Sequence, residues 1–358
     1  MPTHPRSSRP RVAAPGSAVP RAAVPRAAAP RVAVLGAGAW GSAFALVLAD
    51  AGCRVALWAR RPQVAEELAR RGTNSAYLGD VVLPGAVAGT ADVARALDGA
   101  DLVVLAVPLQ RLRERLGEWR PLLPRVPLLC LAKGVEAGTG LFGTEVVADV
   151  TGAGPERLVA VSGPNLAAEV ARREPAATVV ACADPQVARR VAAACTSPAF
   201  QAEPSSDVVG VDVAGAVKNV VALAVGIAEG SGHGANARAA VLTRGLAEAT
   251  GLGLALGARS ATFAGLAGVG DLVATCGSPL SRNHRAGVAL GRGAGLAEAL
   301  AAAGGTVEGV TSAPAVLQRA AAAGVEVPLT AQVAAAVSAG AAPAGLAALL
   351  AGCAATAA

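Results

Sequence analysis

Beyond residue 30 the chain begins with a short, unbroken apolar run, RVAVLG at 31–36, that ends in glycine. Similar runs recur: CRVALWA at 53–59, DLVVLAV at 101–107, PLLCLA at 127–132, LVAVS at 158–162 and ATVVAC at 177–182. Continuous apolar runs of this length predict strands covered on both faces, as in a parallel sheet. Helix signals lie between them. Residues 40–51 are closed by Gly52, Pro62 opens a helix through Arg71, and Thr90 caps a helix over 91–97. This alternation predicts an α/β domain with a doubly wound parallel sheet. After about residue 205 the strand signals stop. Residues 208–229, 236–252, 287–303 and 312–322 read as helices, so an all-helical domain over 206–358 follows a Rossmann-like domain over 31–205.

Residues 1–30 stand apart. Proline recurs at 5, 10, 15, 20, 25 and 30 among Ala and Arg, a composition that buries no core. This segment is expected to be a disordered extension, dispensable for fold and catalysis. It also holds five of the arginines and no acid. Without it, the net charge of +6 falls to +1, with 26 basic residues facing 25 acidic ones. The folded part is therefore close to neutral, and aromatics make up only 2% of the chain. Neither feature fits a nucleic-acid surface built on basic patches and stacked rings. Six scattered cysteines and three distant histidines offer no metal-ligand spacing and fit buried thiols in a reducing cytoplasm. The uncharged run 333–358 holds Pro343 and is mostly Ala and Gly, which reads as a terminal helix rather than a membrane span.

Composition also marks two residues. The 31 basic residues comprise 29 Arg and two Lys, Lys133 and Lys218. A chain that uses Arg almost everywhere and keeps two lysines points to positions where a releasable proton matters.

The strongest motif is Gly36-Ala37-Gly38-Ala39-Trp40-Gly41, which follows a strand and opens a helix. Gly36 makes the tight turn, Gly38 admits a pyrophosphate, and Gly41 lets helix and strand approach closely. This predicts dinucleotide binding. At the end of the second strand, where an NAD-specific site carries an acid, stand Arg60 and Arg61, which suit a ribose 2′-phosphate. Lys133 and Ser162-Gly163-Pro164-Asn165 each follow a strand, where ligands of such sheets bind. Lys218-Asn219 lies in VDVAGAVKNVV, an otherwise apolar helix whose face carries Val211, Gly215 and Asn219 beside the lysine. Asp271 follows a Gly-rich turn, as a helix N-cap or as a functional carboxylate. Ser281-Arg282-Asn283 at a helix start offers amides and a guanidinium to a phosphate.

Together GAGAWG, AKG, SGPN, VDVAGAVKN, GVGDLVATCGSPLSRN and VEG resemble the bacterial-type NAD(P)-dependent glycerol-3-phosphate dehydrogenases, in the order that family shows. The resemblance runs from Arg31 to about Gly352. It implies reversible reduction of dihydroxyacetone phosphate to sn-glycerol 3-phosphate with NADP(H) or NAD(H). It further implies a cytoplasmic homodimer without a membrane span, supplying glycerophospholipid synthesis. By the same resemblance Lys218 is the proton donor and acceptor. Lys133, Gly163, Asn165, Lys218, Asn219, Asp271, Ser281, Arg282 and Asn283 contact substrate. Ala39, Trp40, Arg60, Arg61, Lys133, Ala167, Arg282, Val307 and Glu308 contact the cofactor. Ala39 stands where the bacterial pattern usually has Ser, and Asn165 where it often has Ser or Thr.

The chemistry expected of such a site needs a proton for the oxygen that becomes an alkoxide, from Lys218, and a fixed charge beside it, from Lys133. Asp271 would orient both lysines. Two other readings compete: a two-domain dehydrogenase of the 3-hydroxyacid or 6-phosphogluconate type, and a non-catalytic NADP(H)-sensing protein, which would have no use for the lysine pair.

Overall fold

The computed structural model describes residues 29–340; most of the proline-rich extension and the end of the uncharged C-terminal run, with Cys353, lie outside the described residues. One sheet of eight strands has the order β3-β2-β1-β4-β5-β6-β7-β8. The strands are β1 (Arg31–Leu35), β2 (Arg54–Trp58), β3 (Val87–Thr90), β4 (Leu102–Leu105), β5 (Leu128–Cys130), β6 (Leu158–Ser162), β7 (Ala176–Cys182) and β8 (Phe200–Ser205). Helices α1 (Ala39–Asp50), α2 (Pro62–Arg71), α3 (Ser75–Leu78), α4 (Val93–Leu97), α5 (Leu109–Trp119), α6 (Gly143–Thr151), α7 (Ala167–Ala171) and α8 (Pro185–Ala194) connect them. The rest is helical: α9 (Val208–Gly230), α10 (Ala235–Ala255), α11 (Ser260–Ala264), α12 (Asp271–Gly277), α13 (Arg282–Gly291), α14 (Leu296–Ala303), α15 (Glu308–Ala322) and α16 (Pro328–Ala339).

Strand alternation builds two cores on one sheet. Val32, Val34, Leu102 and Val104 face one side, with Phe44, Leu46 and Leu48 of α1. Ala33, Leu35, Val103 and Leu105 face the other, with Leu109, Leu112 and Leu116 of α5. Every residue of β4 is buried, which is why its run is apolar without a break.

The sheet is not parallel throughout. β6 pairs with β7 antiparallel, and β8 joins β7 in parallel. The β6–β7 link holds only the five-residue α7 and stays at the carboxyl edge, so β7 runs back. β3 and β8 carry no clear sequence signal: VAGT is short and contains glycine, and FQAEPS is polar at alternate positions. The cap expected at Thr90 is Asp92, whose carboxylate accepts from Ala94 N and Arg95 N, while Thr90 ends β3. The single helix expected over 287–303 is two helices, broken where Gly293 adopts φ +91°.

The helical domain is organised around α9, which is buried along most of its length. Among the described residues α9 is the one helix long and apolar enough to cross a membrane, and it serves here as a core helix. Gly226 and Gly230 of α9 face Gly287 and Gly291 of α13. A Cβ at any of the four would overlap backbone of the opposite helix. Small residues let the two backbones approach, and this crossing brings the start of α13 near Lys218.

Candidate active site

The carboxyl ends of β1, β4, β5 and β6 lie side by side. Gly36, with φ +134°, turns the chain out of β1, and a Cβ there would run into the Ala106 carbonyl at the end of β4. A Cβ on Gly41 would overlap the Gly36 carbonyl, whereas one on Gly38 would meet nothing within 4 Å. The loop is thus tight where it must pack and open where a ligand must approach. Gly38 stands at the N-terminus of α1, whose first turn holds no acid.

Two further observations fit a dinucleotide in this cleft. Trp40 Nε1 and Glu308 Oε2 are buried with no partner among the described residues. Glu308 is the first residue of α15 and lies over Gly134, next to Lys133. Burial raises its carboxyl to about 6. Arg60 and Arg61 are exposed just past β2, and neither forms an ion pair among the described residues. The Arg61 guanidinium sits 5.5 Å from the centre of the Tyr77 ring. Tyr77 has no counterpart in the sequence-based expectations, although it is the one tyrosine in the chain.

Lys133, Lys218 and Asp271 meet between the two domains. Lys133 follows β5, Lys218 is in the middle of α9, and Asp271 is the first residue of α12. Lys218 Nζ donates to Asp271 Oδ1 at 2.5 Å and to Thr275 Oγ1 at 3.0 Å. Lys133 Nζ donates to Asp271 Oδ2 at 2.7 Å and to Asn165 Oδ1 at 3.3 Å. Ser162 Oγ and Gly163 N complete the shell of that oxygen at 2.9 and 3.3 Å. Asp271 is therefore no N-cap; it is a carboxylate shared by two ammonium groups. It is 1% exposed and Lys218 is 8% exposed, so solvent screens this cluster weakly.

The charges tune one another. Burial alone would raise the Asp271 carboxyl, but Lys133 and Lys218 hold it down at about 2. Burial lowers the Lys133 ammonium to about 8, with Lys218 adding to the fall and Asp271 opposing it. Each ammonium has three donors and spends two on the protein, which leaves one for a ligand. A Cβ at Gly215 would come within 3.0 Å of Ser162 Oγ and 3.5 Å of Lys133 Cγ, so the small face of α9 is what admits Lys133.

Asn219 and Asn283 are turned toward one another. Asn283 Nδ2 donates to Asn219 Oδ1 at 2.9 Å and Asn283 Oδ1 accepts from Gly309 N at 2.9 Å. Asn219 Nδ2 reaches the Lys133 carbonyl at 3.4 Å. Their amides tie α9, α13, α15 and the Lys133 loop together. Ser281 caps α13 by accepting from His284 N, and Arg282 is exposed at the first helical position. Asn165 also donates to Thr178 Oγ1 at 3.2 Å. Ala167 opens α7 and Val307 caps α15.

The arrangement is one buried cluster of two ammonium groups around a shared carboxylate, at the carboxyl ends of the strands. Comparison with known proteins bears on the family. Residues 31–188 match the family described as NAD-dependent glycerol-3-phosphate dehydrogenase N-terminus, and residues 207–348 match its C-terminus. A glycerol-3-phosphate dehydrogenase (NAD(P)+) of Streptomyces griseus is 53% identical over 87% of this chain and 93% of its own length. One from Nocardia farcinica is 54% identical over 83% and 90%. The crystal structure of glycerol-3-phosphate dehydrogenase from Coxiella burnetii superposes with a TM-score of 0.84 at 35% identity, over 90% of this chain and 98% of that one. Matched in both domains and along nearly the full length of these relatives, the chain belongs to the NAD-dependent glycerol-3-phosphate dehydrogenase family.

Proposed function

We propose that this chain reduces dihydroxyacetone phosphate reversibly to sn-glycerol 3-phosphate. The observation that carries this reading is the buried carboxylate shared by Lys133 and Lys218, beside a dinucleotide loop and a helix start bearing Arg282. When bound, NAD(P)H supplies the hydride that turns the substrate's ketone carbon into an alcohol carbon. The residues supply the rest. Lys218 gives a proton to the substrate oxygen, and Asp271 and Thr275 hold the amine that remains. Lys133 keeps a positive charge beside that oxygen in a site with little water. Arg282 and the first amides of α13 seat the phosphate, so binding energy remote from the reacting carbon fixes its position. Gly163, Asn165, Asn219, Ser281 and Asn283 shape the substrate side. Gly36, Gly38, Gly41, Ala39, Trp40, Ala167, Val307 and Glu308 line the cofactor side. The division at 205/206 belongs to this reading and rests on the end of the strand signals there; the homodimer and the cytoplasmic location belong to it too and rest on the family resemblance.

The phosphate seat gives the test. Wild-type protein should reduce dihydroxyacetone phosphate and not a 3-hydroxyacid's keto form, and should handle unphosphorylated dihydroxyacetone poorly. A charge-assisted bond contributes about 1.5–3 kcal/mol, so Arg282→Ala should raise KM for dihydroxyacetone phosphate by about 10- to 150-fold. Unphosphorylated dihydroxyacetone should be affected little. An unchanged preference for the phosphorylated substrate in that variant removes Arg282 from the phosphate seat. A wild type indifferent to the phosphate removes the reading itself.

Arg60 and Arg61 stand where an acid would select NAD(H), so NADPH should bind at least as well as NADH. Changing both to Ala should raise KM for NADPH about tenfold or more and leave KM for NADH within about threefold. Equal changes for both cofactors would show that the pair does not read the 2′-phosphate.

A further inference from the structure

Asn74 belongs to neither the Gly36–Gly41 motif nor the lysine cluster, yet its side chain is fully buried against the dinucleotide loop. We propose that Asn74 is a positioning residue for the cofactor. Its amide locks the Gly36–Gly41 loop to the segment that carries Tyr77 to Arg61. The proposal rests on the dinucleotide reading above.

Asn74 Nδ2 donates to the Ala37 carbonyl at 3.0 Å and to Ser42 Oγ at 2.8 Å. One amide thereby holds both the loop and the first turns of α1. The peptide unit is planar and trans, so a carbonyl of Ala37 held toward Asn74 turns the Gly38 N–H away from it. That N–H is then presented to an anion at the start of α1. The backbone of Asn74 acts as well. Its carbonyl accepts from Tyr77 N at 3.0 Å and Leu78 N at 2.8 Å, which starts α3. Glu67 grips both flanks, accepting from Thr73 Oγ1 and from Ser75 N, each at 2.8 Å. This places the exposed Tyr77 ring beside the Arg61 guanidinium, which lies 5.5 Å from the ring centre.

The orientation of the amide is not free. Turned over, it would aim Oδ1 at the Ala37 carbonyl, acceptor against acceptor. In the orientation it adopts, Oδ1 is buried without a partner among the described residues. An unpaired buried oxygen destabilises a fold. The side chain's hydrogen bonds are therefore those of its nitrogen, and both go to the loop and the first turn of α1.

The test uses the full chain with Asn74→Asp, which keeps the shape and removes both donors, and Asn74→Ser, which keeps one. Affinity for NADPH is read directly by calorimetry, alongside kcat and both KM values. For Asn74→Asp, Kd and KM for NADPH should rise about tenfold or more, with kcat at saturating NADPH and KM for dihydroxyacetone phosphate within about twofold of wild type. Asn74→Ser should fall between the two, and it decides alone if the Asp variant does not fold. An NADPH Kd unchanged in the variants, or kcat and both KM values worsening together with a fall in Tm, overturns the proposal. Wild-type protein that binds NADPH without reducing dihydroxyacetone phosphate would refute the substrate reading and leave this one standing.

Discussion

Asp271→Asn should cost both activity and stability. The carboxylate accepts from two ammonium groups at 2.5 and 2.7 Å in a site only 1% exposed. Substitution by a neutral amide of the same shape leaves two buried cations with no counter-charge. Breaking a buried pair in this way destabilises by about 3–5 kcal/mol, which lowers the denaturation midpoint measured at neutral pH. kcat should drop as well, because neither lysine keeps the carboxylate that holds its ammonium in place. The pH dependence gives a second check. The wild-type carboxyl is held down at about 2. An ordinary Asp titrates near 3.9, so its stabilising contribution is complete above roughly pH 4 and is lost as pH falls toward 2. The Asn variant has no such group to protonate. Its stability deficit relative to wild type should therefore shrink in acid, and a deficit constant from pH 7 to pH 3 would show that the lysines do not depend on this charge.

Lys218→Arg should lose kcat by about 10²–10⁴-fold, and Lys218→Ala by a similar factor. Arg would preserve the positive charge beside Asp271 but cannot release a proton near neutral pH. Cofactor affinity should stay near wild type, since Lys218 faces Asp271 and Thr275 rather than the Gly36–Gly41 loop. The comparison separates proton transfer from electrostatics. If the Arg variant kept most of its kcat, the proton would come from Lys133, which has the same number of unused donors, or from water.

Much of this site is legible in the sequence, for identifiable reasons. The Gly36–Gly41 loop is readable because a Cβ at Gly36 or Gly41 would overlap backbone, while Gly38 leaves the loop open. Lys133 and Lys218 are readable because a chain of arginines keeps only two lysines. Their meeting is not readable. Asp271 lies 138 residues from Lys133, and the three converge only because β5 ends against the small face of α9 and α12 packs across it. The crossing of α9 and α13 through four glycines likewise becomes meaningful only in three dimensions. β3 and β8 lack the apolar runs of the central strands because they lie at the sheet edges. Tyr77 and Asn74 sit in a connection without periodicity. A compositional signal was nonetheless present: one tyrosine and five asparagines survive in this chain, and Asn74, Asn165, Asn219 and Asn283 all belong to the site or its support.

Whether this chain reduces dihydroxyacetone phosphate is tested most directly by mixing purified protein with NADPH, adding dihydroxyacetone phosphate, and following cofactor absorbance while assaying the product's stereochemistry. Absorbance should fall only when the phosphorylated ketone is present, with one sn-glycerol 3-phosphate formed per NADPH consumed. NADPH that binds but persists after the ketone is added, or a product of the opposite configuration, would contradict that expectation.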